Sequence, residues 1–213
     1  MSYLVAASPH LVLPHAHHPE ALVTGAWTAP RGAAGPLPDA LAAFLDAGPP
    51  PLLISFGTVP DPSDRTRALC AAAARTGFRV LLQILPPAPA PRWSPPGTLL
   101  VRERLPFAAL LPRLAAFVHH GGAGTLHEAT RAGCPSLAMP HMADQYYWAR
   151  AAHHHGVAPP PLPHAARDPA TLDAAFDALR DPALRARAQA LAPRLAAEDG
   201  VSAAVARLEA LAR

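Results

Sequence analysis

The sequence predicts an α/β protein: a doubly wound parallel sheet with crossover helices, followed by a purely helical C-terminus. Three observations carry this. Beyond residue 51, short apolar runs alternate with helix-length segments. The runs are apolar at successive positions, as strands covered on both faces must be. From Asp168 onward only helix signals remain.

Taken in order, residues 1–50 are irregular and Pro-rich. Apolar stretches at 3–6, 11–13 and 21–24 are separated by Pro9, Pro14 and Pro19. Proline removes ladder donors and biases the preceding residue to extended geometry, so these read as brief strands or extended linker. Residues 38–45 form a short helix stopped by Gly48 and Pro49. The first regular strand is Leu52-Leu53-Ile54-Ser55-Phe56, ending at Gly57. Asp61-Pro62 starts a helix that Gly77 stops. Residues 78–85 are the second strand, 86–97 a Pro-rich loop and 98–101 the third strand. A short helix over 107–114 precedes the fourth strand, 116–119. Gly121, Gly122 and Gly124 open a helix that runs to Gly133. Residues 136–139 are the fifth strand, with a helix after it over about 143–155. Asp168-Pro169 and Asp181-Pro182 start two further helices. Leu172, Phe176 and Leu179 share a face of one; Leu184, Ala188, Leu191 and Leu195 share a face of the other. Gly200 resets the chain for a last helix bearing Val201, Val205 and Leu208.

Composition excludes several classes. The chain has 213 residues, enough for one domain with an ample core. Its apolar runs are interrupted well short of the ~18 residues a membrane span needs. Cys70 and Cys134 are the only cysteines, too few for a disulfide framework or a cysteine-based zinc site. The first residues lack a basic segment and an unbroken apolar core, so no signal peptide is expected and a cytoplasmic location is the default. All 18 basic side chains are arginine, and the net charge is +3. They are scattered, without aromatic interleaving, which argues against a nucleic-acid partner.

The informative segment is Val118-His119-His120-Gly121-Gly122-Ala123-Gly124-Thr125-Leu126-His127-Glu128. A buried strand ends, glycines turn the chain, and a helix begins. The first turn of such a helix has unpaired N–H groups and a positive dipole end, an anion site. Thr125 adds a hydroxyl and His120 a ring donor. Glu128, one turn on, suits a ribose diol. The plainer reading is a simple βα turn. No lysine follows, so this is not a Walker loop, and the spacing is not the dinucleotide fingerprint. In a parallel sheet the next loop, Pro140 to Gln145, reaches the same edge. Asp144 and Gln145 are suited there to sugar hydroxyls, or else to capping the helix that follows. His127 and His153-His154-His155 read as solvated helix residues. The triple His, or His15 with His17 and His18, are the candidate metal ligands, though such runs are usually solvated.

These motifs, with Arg131-Ala132-Gly133-Cys134-Pro135, resemble the donor-binding signature of family 1 glycosyltransferases of GT-B fold. The sterol-glucosyltransferase-like and macrolide or glycopeptide types are the nearest flavour. Val23-Thr24-Gly25-Ala26-Trp27 resembles the interdomain linker, and Ile54-Ser55-Phe56-Gly57-Thr58 the loop after the first strand of the C-terminal domain. The resemblance implies that residues 1–50 are a remnant of the linker and N-domain edge. Residues 51–213 are then the Rossmann-like C-terminal half, which binds a nucleotide sugar. It implies that His120 contacts the α-phosphate, and that Gly122, Gly124 and Thr125 hold the diphosphate. Glu128 binds the ribose, and Asp144 and Gln145 the sugar. Gly57 and Thr58 face the phosphates, and Pro106 and Phe107 lie at the base. Arg104 stands where plant relatives stack a tryptophan, and Phe107 replaces a polar residue. The implied activity is inverting transfer from a UDP-sugar, preferred over a dTDP-sugar, without metal or cofactor. The acceptor domain and its histidine base are absent from this chain, so an N-terminal partner chain is implied and the chain alone is inactive. A non-catalytic module binding a nucleotide sugar or a protein partner is the alternative. A sugar-nucleotide 2-epimerase shares the fold, but the match to the transferase motifs argues against it.

Overall fold

The computed structural model describes residues 3–14, 20–28, 35–59, 63–93 and 95–212. β1 (Tyr3–Val5) and β2 (Ala21–Val23) pair in parallel as a separate two-stranded sheet. The main sheet contains β3 (Leu52–Ser55), β4 (Val80–Gln83), β5 (Thr98–Val101), β6 (Ala116–His119) and β7 (Ser136–Ala138). All its pairings are parallel, in the order β5–β4–β3–β6–β7. The order reverses between β3 and β6, which makes this a doubly wound, Rossmann-like sheet as expected. The helices are α1 (Asp39–Asp46), α2 (Ser63–Arg75), α3 (Phe107–Leu110, continued by a 3-10 turn), α4 (Ala123–Arg131), α5 (Gln145–His154), α6 (Pro169–Ala178), α7 (Pro182–Ala196) and α8 (Gly200–Leu211).

The strands are apolar throughout because both faces are covered. Leu52, Ile54, Val80, Leu82, Ala116 and Val118 point to one layer, packed with Leu69 of α2 and with Leu172 and Phe176 of α6. Leu53, Leu81 and Phe117 point to the other, with Leu41 and Leu45 of α1 and Ala129 of α4. A third cluster joins Leu126 of α4, Trp148 of α5, and Ala188 and Leu195 of α7 to Ala7 and Leu11. Each fully buried Leu or Phe contributes about 1.5–3 kcal/mol.

Some expected boundaries move. The second strand spans Val80–Gln83 rather than 78–85: Phe78 instead meets the Phe176 ring edge-on at 6.4 Å and lies under the Arg180 guanidinium. Residues 11–13 form no strand; Leu11 is a buried anchor in a turn. In α8 the expected apolar stripe stays half-exposed (Val201 45%, Val205 47%, Leu208 55%), and Gly200 and Ala204 make the buried contact instead. The backbones meet closely there: a Cβ on Gly200 would lie 2.4 Å from the Gly25 carbonyl oxygen. The expected helix start at Asp61-Pro62, and His15, His17 and His18, lie outside the described residues. Among the described residues no helix is long and apolar enough to cross a membrane.

Candidate functional site

Parallel register brings the C-terminal strand ends to one edge. Ser55 pairs with Gln83, Gln83 with Val101, and His119 with Ala138. The loops after β3 and β6 leave at the point where the strand order reverses, where open α/β sheets bind ligands.

The glycine turn is held by its own histidines. His119 is buried, and its Nδ1 accepts from the Gly121 N–H at 2.9 Å. The proton therefore sits on Nε2, which finds no partner among the described residues. Burial, then the neighbouring His120, push its pKa down to about 3. Gly121 takes φ +85°, and a Cβ there would come within 3.0 Å of the Gln145 carbonyl oxygen. Only glycine fits that close approach. Gly122 is the N-cap position of α4, and a Cβ on it would lie 2.5 Å from His120 Nε2. The imidazole is thus folded over the helix start. Gly124 faces open space. Gly57, at φ +61°, comes to the same ring: its Cβ would lie 3.9 Å from His120 Cε1.

His120 is half-buried, and its Nδ1 finds no partner among the described residues. Burial lowers its pKa, and the Asp144 carboxylate only partly opposes this. The ring is therefore neutral near pH 7, with one N–H to donate. His120, Thr125, Gly57 and Phe107 line one cavity of about 250 Å³. Phe107 stands edge-on to Phe117 at 5.5 Å. Arg104 and Leu105 also line it.

Thr58 and Glu128 fall outside that cavity. Thr58 lines a larger apolar one of about 640 Å³ beside the 85–93 loop. Glu128 lines a neighbouring one of about 310 Å³, with Arg131 Nη1 at 3.9 Å. Asp144 stands at the N-cap position of α5 but does not cap it by its side chain. Its backbone is already helical (φ −67°, ψ −15°), and its Oδ2 accepts from Trp148 Nε1 at 2.9 Å. Gln145 is buried, and its Oε1 accepts from the His141 and Met142 N–H groups at 2.7 and 3.2 Å. The expected convergence of this loop on the glycine turn is present, through Gly121 and Gln145.

His127, expected in solvent, is 2% exposed. Its Nε2 accepts from Ser8 N–H at 2.9 Å and its Nδ1 donates to the Ala123 carbonyl at 2.7 Å. Residues 7–11 fold over α4 and cover it, which a helix pattern alone does not reveal. His153 and His154 are exposed as expected, but His155 is half-buried and donates to the Val12 carbonyl.

Sequence reasoning missed the polar floor of the 250 Å³ cavity. Ser55 Oγ donates to Gln83 Oε1 at 2.6 Å, and Gln83 Nε2 donates to the Glu103 carbonyl at 2.8 Å. A polar residue closing each of the apolar strands β3 and β4 was the available signal. His141 was also missed: it accepts from Arg65 Nη1, meets Phe56 edge-on, and burial and then Arg65 hold its pKa down to about 4. Among the described residues no group of three or more metal-ligating side chains converges.

A family profile for the erythromycin biosynthesis protein CIII-like C-terminal domain matches residues 90–211. The chain is 37% identical to the vancomycin aglycone glucosyltransferase of Amycolatopsis orientalis, over 98% of this chain and 50% of that protein. It is 32% identical to a sterol 3-beta-glucosyltransferase of Arabidopsis thaliana, over 79% of this chain and 27% of that protein. The fold matches a spinosyn rhamnosyltransferase solved with thymidine diphosphate, at TM-score 0.74 and 22% identity, over 97% of this chain and 56% of that one. The chain spans half or less of the length of these curated relatives. With the switch-point site already in place, the match over most of the sheet's second half and the helical C-terminus decides the assignment: the chain belongs to the family 1, GT-B fold glycosyltransferases, through their erythromycin biosynthesis protein CIII-like C-terminal domain.

Proposed function

We propose that this chain is the donor half of a glycosyltransferase. It binds a nucleoside diphosphate sugar, UDP-linked in preference to dTDP-linked, and stabilises the departing diphosphate during inverting transfer to an acceptor hydroxyl. One observation carries the reading. An open helix N-terminus, the His120 ring, the Gly57 turn and the Asp144–Gln145 pair meet at the switch point of the sheet. Residues 1–50 are read as linker and acceptor-domain edge, and residues 51–213 as the donor domain.

In this mechanism a base on an N-terminal acceptor domain, outside this chain, takes the acceptor's proton. The acceptor oxygen bonds to the anomeric carbon from the face opposite the diphosphate. The anomeric C–O bond breaks, and its electrons go to the diphosphate. Charge then grows beside the first-turn N–H groups of α4 and the neutral His120 N–H, which stabilise it in this reading. Glu128 reads the ribose diol, Asp144 and Gln145 the sugar hydroxyls, and no metal is needed.

Calorimetric titration with UDP tests the reading. Binding is expected, and His120→Ala is expected to weaken it about tenfold, the worth of one hydrogen bond to a charged group, at unchanged melting temperature. A folded chain that binds neither UDP nor dTDP sinks the proposal. Mixing the chain with candidate acceptor domains and a UDP-sugar separates a transferase from a binding module: transfer supports the first, and binding without transfer in every pairing the second.

A further inference from the structure

Asp144 is exposed, yet its carboxylate is not free to turn. Trp148, one helical turn along α5, donates its indole N–H to Oδ2 at 2.9 Å. Oδ1 takes no partner among the described residues. The indole is 8% exposed and wedged in the third core cluster. His127 meets it edge-on at 5.3 Å and Tyr147 at 4.8 Å. The neighbouring Gln145 is equally fixed, because two loop N–H groups take its Oε1 and leave its Nε2 as the group still able to donate. The loop edge therefore offers a set pattern: one carboxylate oxygen as acceptor and one carboxamide as donor.

We propose that Trp148 is a positioning residue for sugar recognition, locking the Asp144 carboxylate so that Oδ1 alone reads a donor-sugar hydroxyl. This rests on the donor-site reading above. An alternative is that the bond merely satisfies a buried indole N–H, as most such groups are satisfied. The two differ in what they do to the sugar and to the nucleotide.

Trp148→Phe removes the N–H and keeps a buried ring. Affinities for UDP, UDP-glucose, dTDP and dTDP-glucose are measured by calorimetry for the wild type, Trp148→Phe, Asp144→Asn and the double variant. The expected result is that Trp148→Phe leaves nucleotide binding within twofold and weakens the matching nucleotide sugar at least fivefold. Asp144→Asn, at an exposed position, gives the same split, and the double variant adds no further loss. Equal losses for nucleotide and nucleotide sugar, no loss for either, or additive losses in the double variant overturn the positioning role. If Trp148→Phe fails to fold, the indole ¹⁵N–¹H resonance assigned to Trp148 in the wild-type chain decides. It should shift when UDP-glucose or dTDP-glucose replaces the bare nucleotide, and an unmoved resonance overturns the proposal. A wild-type chain that binds no nucleotide at all instead removes the donor-site reading, and this one with it.

Discussion

Under the proposed donor reading, Glu128, one turn beyond Thr125 on α4, is the side chain that chooses between nucleotides. A carboxylate accepts from both ribose hydroxyls of UDP, whereas dTDP lacks the 2′-hydroxyl. Glu128→Ala is therefore expected to weaken UDP several-fold more than dTDP, and competition titration checks this; equal losses remove the basis for a UDP preference. At the same scale the histidines separate by surroundings rather than by type. His119 is a buried strut for the Gly121 N–H, His127 a bracket between Ser8 and Ala123, and His120 a half-buried donor at the helix tip. Burial of a ring depends on what folds over it, so the sequence alone placed His120 beside the glycine turn but misplaced His127.

At the scale of elements, the βα turn after β6 and the start of α5 are coupled through one close contact. Gly121 has φ +85° and sits against the Gln145 carbonyl. Gly121→Ala is expected to cost about 1–2 kcal/mol from the left-handed backbone alone, and more from the contact. Because that contact positions Asp144 and Gln145, the loss of nucleotide-sugar affinity should exceed the loss of nucleotide affinity. Thermal melts and paired titrations measure both, and a variant with wild-type melting temperature contradicts the packing account. Helix starts were legible because their chemistry is local. Asp168 accepts from Thr171 N–H at 2.9 Å and Asp181 from Ala183 N–H at 2.8 Å, each ahead of a first-turn proline. Asp144 looked like a third such cap and is not, because Trp148, a tertiary anchor, holds its carboxylate.

For the whole molecule, burying neutral histidines sets a pH response. The pKa values of His119 and His141 stand near 3 and 4 in the fold, against about 6.5 in an unfolded chain. Below about pH 6.5 the unfolded chain takes up protons that the fold refuses. Stability is then full above that pH and is lost as pH falls toward those values. His119, fully buried, contributes up to about 1.4 kcal/mol per pH unit in that window, and the more exposed His141 less. The expected outcome is a melting temperature that drops between pH 7 and pH 5, ahead of carboxylate protonation. His119→Gln should flatten the slope, and a pH-independent melting temperature over that range contradicts it. By itself the sequence determined the strand–helix alternation, the parallel sheet and the glycine turn. Each rests on periodicity, caps and turn residues within a few positions of one another. Only the tertiary structure decided that residues 3–14 cover α4 and bury His127, that α8 docks through Gly200 rather than its apolar stripe, and that the Trp148 indole is buried against His127 and the start of the chain. Those outcomes depend on segments far apart in the chain competing for the same surface, and local pattern carries no record of which one wins.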